Sequence, residues 1–187
     1  MPPAPLPRNE SERYIALMAY RARGMVTDVQ AVQLVREAKA FFACQQAVIA
    51  LVGRTTVYFL AEAGAGFDSL PREHSFCAYA IHNQTPLVVE DTLLDARFRD
   101  NPHVAGPPWE RFYAGAPLVD AHGYCLGTFC LADQEPRSLK PAALSRLVDF
   151  SRRAMHLIEL QKTMSALLQT YSDRPQGFSA PAGAGAS

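Results

Sequence analysis

The stretch from Ser75 to Arg137 constrains this chain most, because its hydrophobic pattern changes period several times along it. Ser75 can cap a short helix in which Phe76, Tyr79 and Ala80 fall at i, i+3 and i+4. Asn83-Gln84-Thr85-Pro86 stops that helix, since the residue before a proline disfavours the α region. Leu87 to Val89 then reads as a strand. Asp91 to Glu110 has no long periodicity and holds several prolines, and a connection of that length tends to be a lid or a binding segment. A helical turn around Asp95–Phe98 relieves part of it. Arg111–Val119 and Tyr124–Ala132 read as strands joined through the turn-like Asp120-Ala121-His122-Gly123. The unit is thus a helix, a strand, a crossing segment and a hairpin, and both flanks offer helices to pack on it.

Residues 1–8 form a proline-rich leader, expected to be disordered. Helical spacing starts near Ser11 with Tyr14, Ile15, Leu17 and Met18, and Arg23-Gly24 interrupts it with glycine as a C-cap. A second helix runs from Thr27 to Cys44, capped by Thr27 or Asp28, with Val32, Leu34, Val35, Ala38, Phe41 and Phe42 on its apolar face. Val48–Val52 is a buried strand and Thr55–Leu60 its hairpin partner, ended by Ala63-Gly64-Ala65-Gly66; a loop leads on to Arg72. After Pro136-Arg137 the last helix starts at Ser138 or Leu139 and keeps apolar residues from Leu144 to Leu167. Unbroken to Tyr171 it would span about 50 Å, longer than a small domain needs, so its far half packs on something besides its own sheet. From Ser172 the chain turns to Pro, Gly, Ala and Ser and reads as a disordered tail. One domain over residues 9–171 is the expectation, with a leader at 1–8 and a tail at 172–187.

A length of 187 residues suffices for one domain with a sizeable core. With 18 basic and 18 acidic residues and no basic run, nothing points to a nucleic-acid partner. The N-terminus lacks the apolar stretch of a secretory signal. No uninterrupted apolar segment reaches the roughly 18 residues of a membrane span, and a cytoplasmic location follows as the default. Cys44, Cys77, Cys125 and Cys130 sit in apolar surroundings and read as buried free thiols. Cys125 and Cys130, five apart on one strand, should point to opposite faces and not pair.

Four blocks carry a family resemblance: Ser75-Phe76-Cys77-Ala78-Tyr79-Ala80-Ile81; Asp91, Asp95, Arg97-Phe98 and Asn101-Pro102; Arg111-Phe112-Tyr113-Ala114-Gly115-Ala116-Pro117-Leu118; and Leu126-Gly127-Thr128-Phe129-Cys130. In this order and spacing the chain resembles a bacterial GAF domain of the type found N-terminal in histidine kinases and cyclic-dinucleotide enzymes. The resemblance covers roughly residues 10–165. It implies an α+β fold with an antiparallel five- to six-stranded sheet, the terminal helices packed on one face and a ligand-side crossing segment on the other. It also implies a small-molecule pocket between sheet and crossing segment, whose occupancy passes through the C-terminal helix. The chain departs from the family pattern in its first hairpin, Gly53-Arg54-Thr55-Thr56-Val57-Tyr58-Phe59, and in the link Gly24-Met25-Val26-Thr27. No kinase, cyclase or phosphodiesterase domain follows residue 171, so a stand-alone module served by a separate output protein is expected.

The pocket candidates are Phe76, Cys77, Ile81, Phe98, Trp109, Phe112 and Tyr113, an apolar lining with a few polar handles. Asp91, Arg111 and Cys130 join them. Asp91, Asp95, Asp100 and Arg97 read either as a polar constellation or, more ordinarily, as turn caps paired with arginines. Arg111 holds Asp91 or a ligand carboxylate. His74, Cys77 and His82 have a metal-like spacing but no second pair of ligands, so no metal site is expected. Three functions follow. The first is a small-molecule sensor that homodimerises through its terminal helices and acts on an output such as a kinase or cyclic-dinucleotide enzyme. The second is a thiol reductase of the free methionine sulfoxide type, for which the cysteines do not align with the reductase positions. The third is a dimerisation module without a ligand. A covalently attached bilin is not expected, because Ala78 rather than histidine follows Cys77. No catalytic set is complete, so an enzyme is not the expectation, and the sequence leaves any cofactor unknown. A cut after Arg153 is expected to spare the core and weaken the dimer.

Overall fold

The computed structural model describes residues 1–21 and 29–172. Its elements are α1 (Glu10–Arg21), α2 (Val29–Phe42), β1 (Gln46–Val52), β2 (Thr56–Ala63), β3 (Ser69–Pro71), α3 (Phe76–Asn83), β4 (Leu87–Val89), α4 (Pro102–Ala105), β5 (Phe112–Val119), β6 (Cys125–Asp133) and α5 (Pro141–Ser172). The strands form one antiparallel sheet in the order β3-β2-β1-β6-β5-β4. The two strands that are buried along their whole length, β1 and β6, lie at its centre, where a continuous apolar run is the only pattern that fits.

Strand alternation sorts the core into two layers. On one face Ile49, Phe112, Ala114, Phe129 and Leu131 meet Leu34 and Val35 of α2 and Phe150 and Ile158 of α5. The Phe150 ring stacks on Phe129 at 5.6 Å between centroids. On the other face Val48, Ala50, Tyr113 and Cys130 meet Phe76 and Ile81 of α3 and Phe98 and Val104 of the crossing segment. The terminal helices and the crossing segment therefore lie on opposite sides of the sheet. Gly127 sits where β1 and β6 come closest; a Cβ there would strike the Ala50 carbonyl.

Several local expectations need correction. Cys125 and Cys130 face the same side, because the β5–β6 register shifts between Leu118 and Val119 and one extra residue of β6 reverses the alternation. Ser69–Pro71, read as loop, is an edge strand on β2, and β2 itself runs on to Ala63. These short pairings depend on a partner already in place, which periodicity cannot reveal. Residues 154, 155 and 158 are buried core, so a cut after Arg153 would remove part of the domain it was expected to spare. Only beyond Ile158 does α5 leave the sheet, and there Leu160, Met164, Leu167, Leu168 and Tyr171 are exposed.

Residues 1–8 contact the crossing segment and α3: Tyr79 donates to the Pro2 carbonyl, and the N-terminal amine reaches that of Asp100. The expected caps at Arg23-Gly24 and Thr27 or Asp28, the link Gly24–Thr27, and the tail from 173 lie outside the described residues. Among the described residues, no helix is long and apolar enough to cross a membrane.

Candidate functional site

Ser75 has extended backbone angles and its hydroxyl accepts from the Cys77 amide at 3.1 Å, so it caps α3 as its sequence position suggests. That cap puts Cys77 in the first turn of α3, with its thiol against β6. Cys130 meets it from the central strand, Sγ to Sγ 3.8 Å. The Tyr113 hydroxyl donates to Cys77 Sγ at 3.5 Å. Gly115 makes room for this, since a Cβ there would collide with the Tyr113 hydroxyl. Phe76 stacks on the Tyr113 ring at 5.0 Å.

These groups border a cavity of about 30 Å³, room for one or two waters, which Val48, Glu110 and Ala132 also line. Half-buried Phe67, His74 and His103 stand at its outer side. The crossing segment that closes it is pinned by backbone groups. Thr92 Oγ1 donates to the Glu110 carbonyl at 2.6 Å, and the Glu110 amide donates to His103 at 2.8 Å. Asn101 caps α4 through the His103 amide and donates to the His74 carbonyl.

The charges in this cavity are unusual for a core. A hydrogen bond from Cys130 lowers Cys77 to about 6; burial opposes it, while Thr128, Tyr113 and Ser75 add to it. Cys130, giving that hydrogen bond and buried beside the thiolate, is pushed well above a normal thiol. Burial, then the Cys77 charge, raises Glu110 to about 8, against a hydrogen bond from Gln46. Burial lifts Tyr113 well above its usual range, and the sulfur charges add to the shift. The surroundings therefore bias the Cys77 thiol toward its ionised form and the Glu110 carboxyl toward its neutral one.

Of the candidate residues, Phe76, Cys77, Tyr113 and Cys130 line this cavity. Ile81 and Phe98 are buried behind it, Phe98 with its ring 4.7 Å from Phe76. Phe112 does not line it: it neighbours Tyr113 on a strand, so it points into the helix-side core. Trp109 is 53% exposed, on a left-handed backbone turn with φ 63°. Asp91 and Arg111 also lie elsewhere, bound to each other at 2.8 Å, with Asp91 on an open groove of about 800 Å³ beside β4. Asp95 caps the Arg97 amide and pairs with its guanidinium at 2.6 Å, the turn-capping reading. Among the described residues no group of three or more His, Cys, Asp or Glu is placed to hold a metal. The residues missed from sequence are Glu110, Gln46 and His103, and His74 is weighed there only as a metal ligand. An acid between Trp109 and Arg111 carries no sign of burial, which comes only from the crossing segment folding back.

At the level of sequence the chain is similar to a cyclic di-GMP phosphodiesterase of Pseudomonas aeruginosa, 35% identical over 178 residues. The match takes in 95% of this chain and 29% of that protein's length. Among solved structures, the GAF domain of a phosphoenolpyruvate-protein phosphotransferase from Coxiella burnetii has a TM-score of 0.63 at 12% identity, covering 84% of this chain and 97% of that one. Free methionine-R-sulfoxide reductase from Neisseria meningitidis, in complex with its substrate, has 0.61 at 14%, covering 86% and 96%. At such identities the two structures speak for the fold alone. The GAF domain family model matches residues 29–158, from the start of α2 to the last buried turn of α5, and the chain belongs to the GAF domain family.

Proposed function

We propose that this is a sensory domain in which a change in the cavity under α3 is passed to α5 and on to a partner. One observation carries the reading: β5 and β6 form the cavity wall and the bed of α5 at once. Tyr113 and Cys130 face the cavity, while Phe112, Phe129 and Leu131, one residue away, face the helix side. Ser151 ties α5 to the same strand through the Pro117 carbonyl. An occupant that shifts Tyr113 or Cys130 therefore shifts the surface on which Phe150 rests, and a ligand preferring one arrangement moves the population toward it.

The receiving end is the far half of α5, where Leu160, Met164, Leu167, Leu168 and Tyr171 present unburied apolar surface. A second copy of the chain covering this stripe gives a homodimer of helices, and the dimer carries the signal to an output. Likeness to a cyclic di-GMP phosphodiesterase makes turnover of that nucleotide the output we propose, supplied outside the domain described here.

Native and denaturing mass spectra of freshly purified protein test both halves together. Retained mass that is lost on denaturation, in a dimer, is the expected result. Removing everything after Thr163 should give a monomer by light scattering with an unchanged melting temperature at low concentration. A truncated chain that stays dimeric would refute the helix interface, and a metabolite screen that shifts neither melting nor assembly would refute the sensor.

A further inference from the structure

We propose that Cys77 and Cys130 form a reversible dithiol–disulfide couple whose oxidant is a hydroperoxide small enough to enter the cavity. This goes beyond ligand sensing and does not depend on it, since the bond forms whether or not the cavity takes any metabolite.

The two sulfurs are at contact distance, 3.8 Å, with no atom between them; a disulfide needs about 2.05 Å, a closure of less than 2 Å. They sit on different elements, Cys77 in the first turn of α3 and Cys130 on the central strand β6, so side-chain rotation and a small helix shift suffice. Their environment is asymmetric in the way thiol exchange uses. The Tyr113 and Ser75 hydroxyls and the Cys130 thiol all converge on Cys77, and the buried Thr128 hydroxyl, without a hydrogen-bond partner among the described residues, stands beside both sulfurs. Cys77 is thereby the attacking thiolate and Cys130, which stays protonated, the resolving thiol.

The other two cysteines supply an internal contrast. Cys44 and Cys125 are equally buried, but each gives its S–H to a backbone carbonyl, Gln46 and Gly127, and burial pushes them up to about 11 and about 12. They are inert core thiols. The cavity of about 30 Å³ beside Cys77 has room for a molecule of two heavy atoms. Half-buried side chains, Phe67, His74 and His103, stand at its outer side.

The reaction balances in two steps. Cys77 thiolate attacks one oxygen of hydrogen peroxide; the S–O bond forms and the O–O bond breaks. The departing hydroxide takes the proton of Glu110, which lines the same cavity, and leaves as water. Cys130 then attacks the Cys77 sulfenic acid; the S–S bond forms, the S–O bond breaks, and a second water leaves with the thiol proton. Glu110 recovers its proton from solvent. Two thiols are oxidised by two electrons and one peroxide is reduced. The product bolts α3 to β6, and a dithiol reductant restores the pair.

The test uses the full chain, reduced, desalted and exposed at pH 7 to a few equivalents of hydrogen peroxide, then alkylated and mapped by mass spectrometry. The expected product is two hydrogens lighter and keeps two alkylatable thiols, Cys44 and Cys125. A peptide linked through Cys77 and Cys130 should be found, and dithiothreitol should return all four. Cys130→Ser should stop at a sulfenic acid on Cys77 that dimedone captures, and Cys77→Ser should consume peroxide at least tenfold more slowly. Glu110→Gln should slow oxidation at least tenfold with the same product; an unchanged rate overturns that proton transfer. The couple itself is overturned if all four thiols survive peroxide that oxidises the urea-unfolded chain. It is also overturned if the linked cysteines are other ones or belong to two chains, or if Cys77→Ser, shown folded by circular dichroism, reacts as fast as the wild type.

Discussion

Replacing Glu110 by glutamine should remove a large part of the pH dependence of this domain's stability. Glu110 is 7% exposed, and burial with the Cys77 charge raises its carboxyl from 4.5 to about 8. A raised carboxyl means that the folded chain keeps a proton which the unfolded chain releases above pH 4.5. The unfolded state then binds fewer protons, so stability falls as pH rises, starting near 4.5 and completing near 8. At about 1.36 kcal/mol per unit the loss across that window is roughly 5 kcal/mol, comparable with the whole stability of many domains. Glutamine keeps the shape and the Gln46 contact but cannot ionise. Urea melts followed by circular dichroism should find Glu110→Gln within about 1 kcal/mol of wild type at pH 5, and more stable by several kcal/mol at pH 9. Cys77 acts with the opposite sign, because a thiol lowered from 9.0 to about 6 adds stability as pH rises through that range. It is present in both proteins, so it cancels in their difference except through its repulsion of Glu110. In a Cys77→Ser background the gap should shrink. A difference that stays constant between pH 5 and 9 would show that Glu110 titrates as an ordinary carboxylate, and would refute the reasoning.

Gly127→Ala should cost about 3 kcal/mol, read as a fall in melting temperature, because its Cβ meets the Ala50 carbonyl and neither central strand can yield. Gly115→Ala should cost less, about 1 kcal/mol, since the flexible Tyr113 side chain can give way. It should also move the hydroxyl off Cys77 and slow alkylation of that thiol at pH 7; equal rates would dismiss the Tyr113 contact. Arg137 donates to the Phe42 and Ala43 carbonyls at the end of α2 and pairs with Asp133 at 2.7 Å. Arg137→Ala should cost about 1–2 kcal/mol by chemical denaturation, and a neutral result would show that water caps α2 equally well.

What the sequence determined by itself is what neighbouring residues decide among themselves. Ser75 caps α3 and Pro86 follows its end, because capping and the pre-proline restriction act over four residues. The apolar run at β1, the turn at Asp120–Gly123 and the long period of α5 were legible for the same reason, and ordered family blocks carried these pieces to one fold. Four of the ten candidate residues line the cavity, and Phe112 is the one turned away by the face of its strand. Phe112 and Tyr113 read alike in sequence, but alternation sends one to each side of the sheet. Only the tertiary structure decided that a register shift turns Cys125 to the side of Cys130, and that Glu110 is buried. It alone placed two thiols 53 residues apart at 3.8 Å. Each of these depends on a distance between elements remote in the chain. Local propensity and periodicity carry no information about that distance until packing sets it.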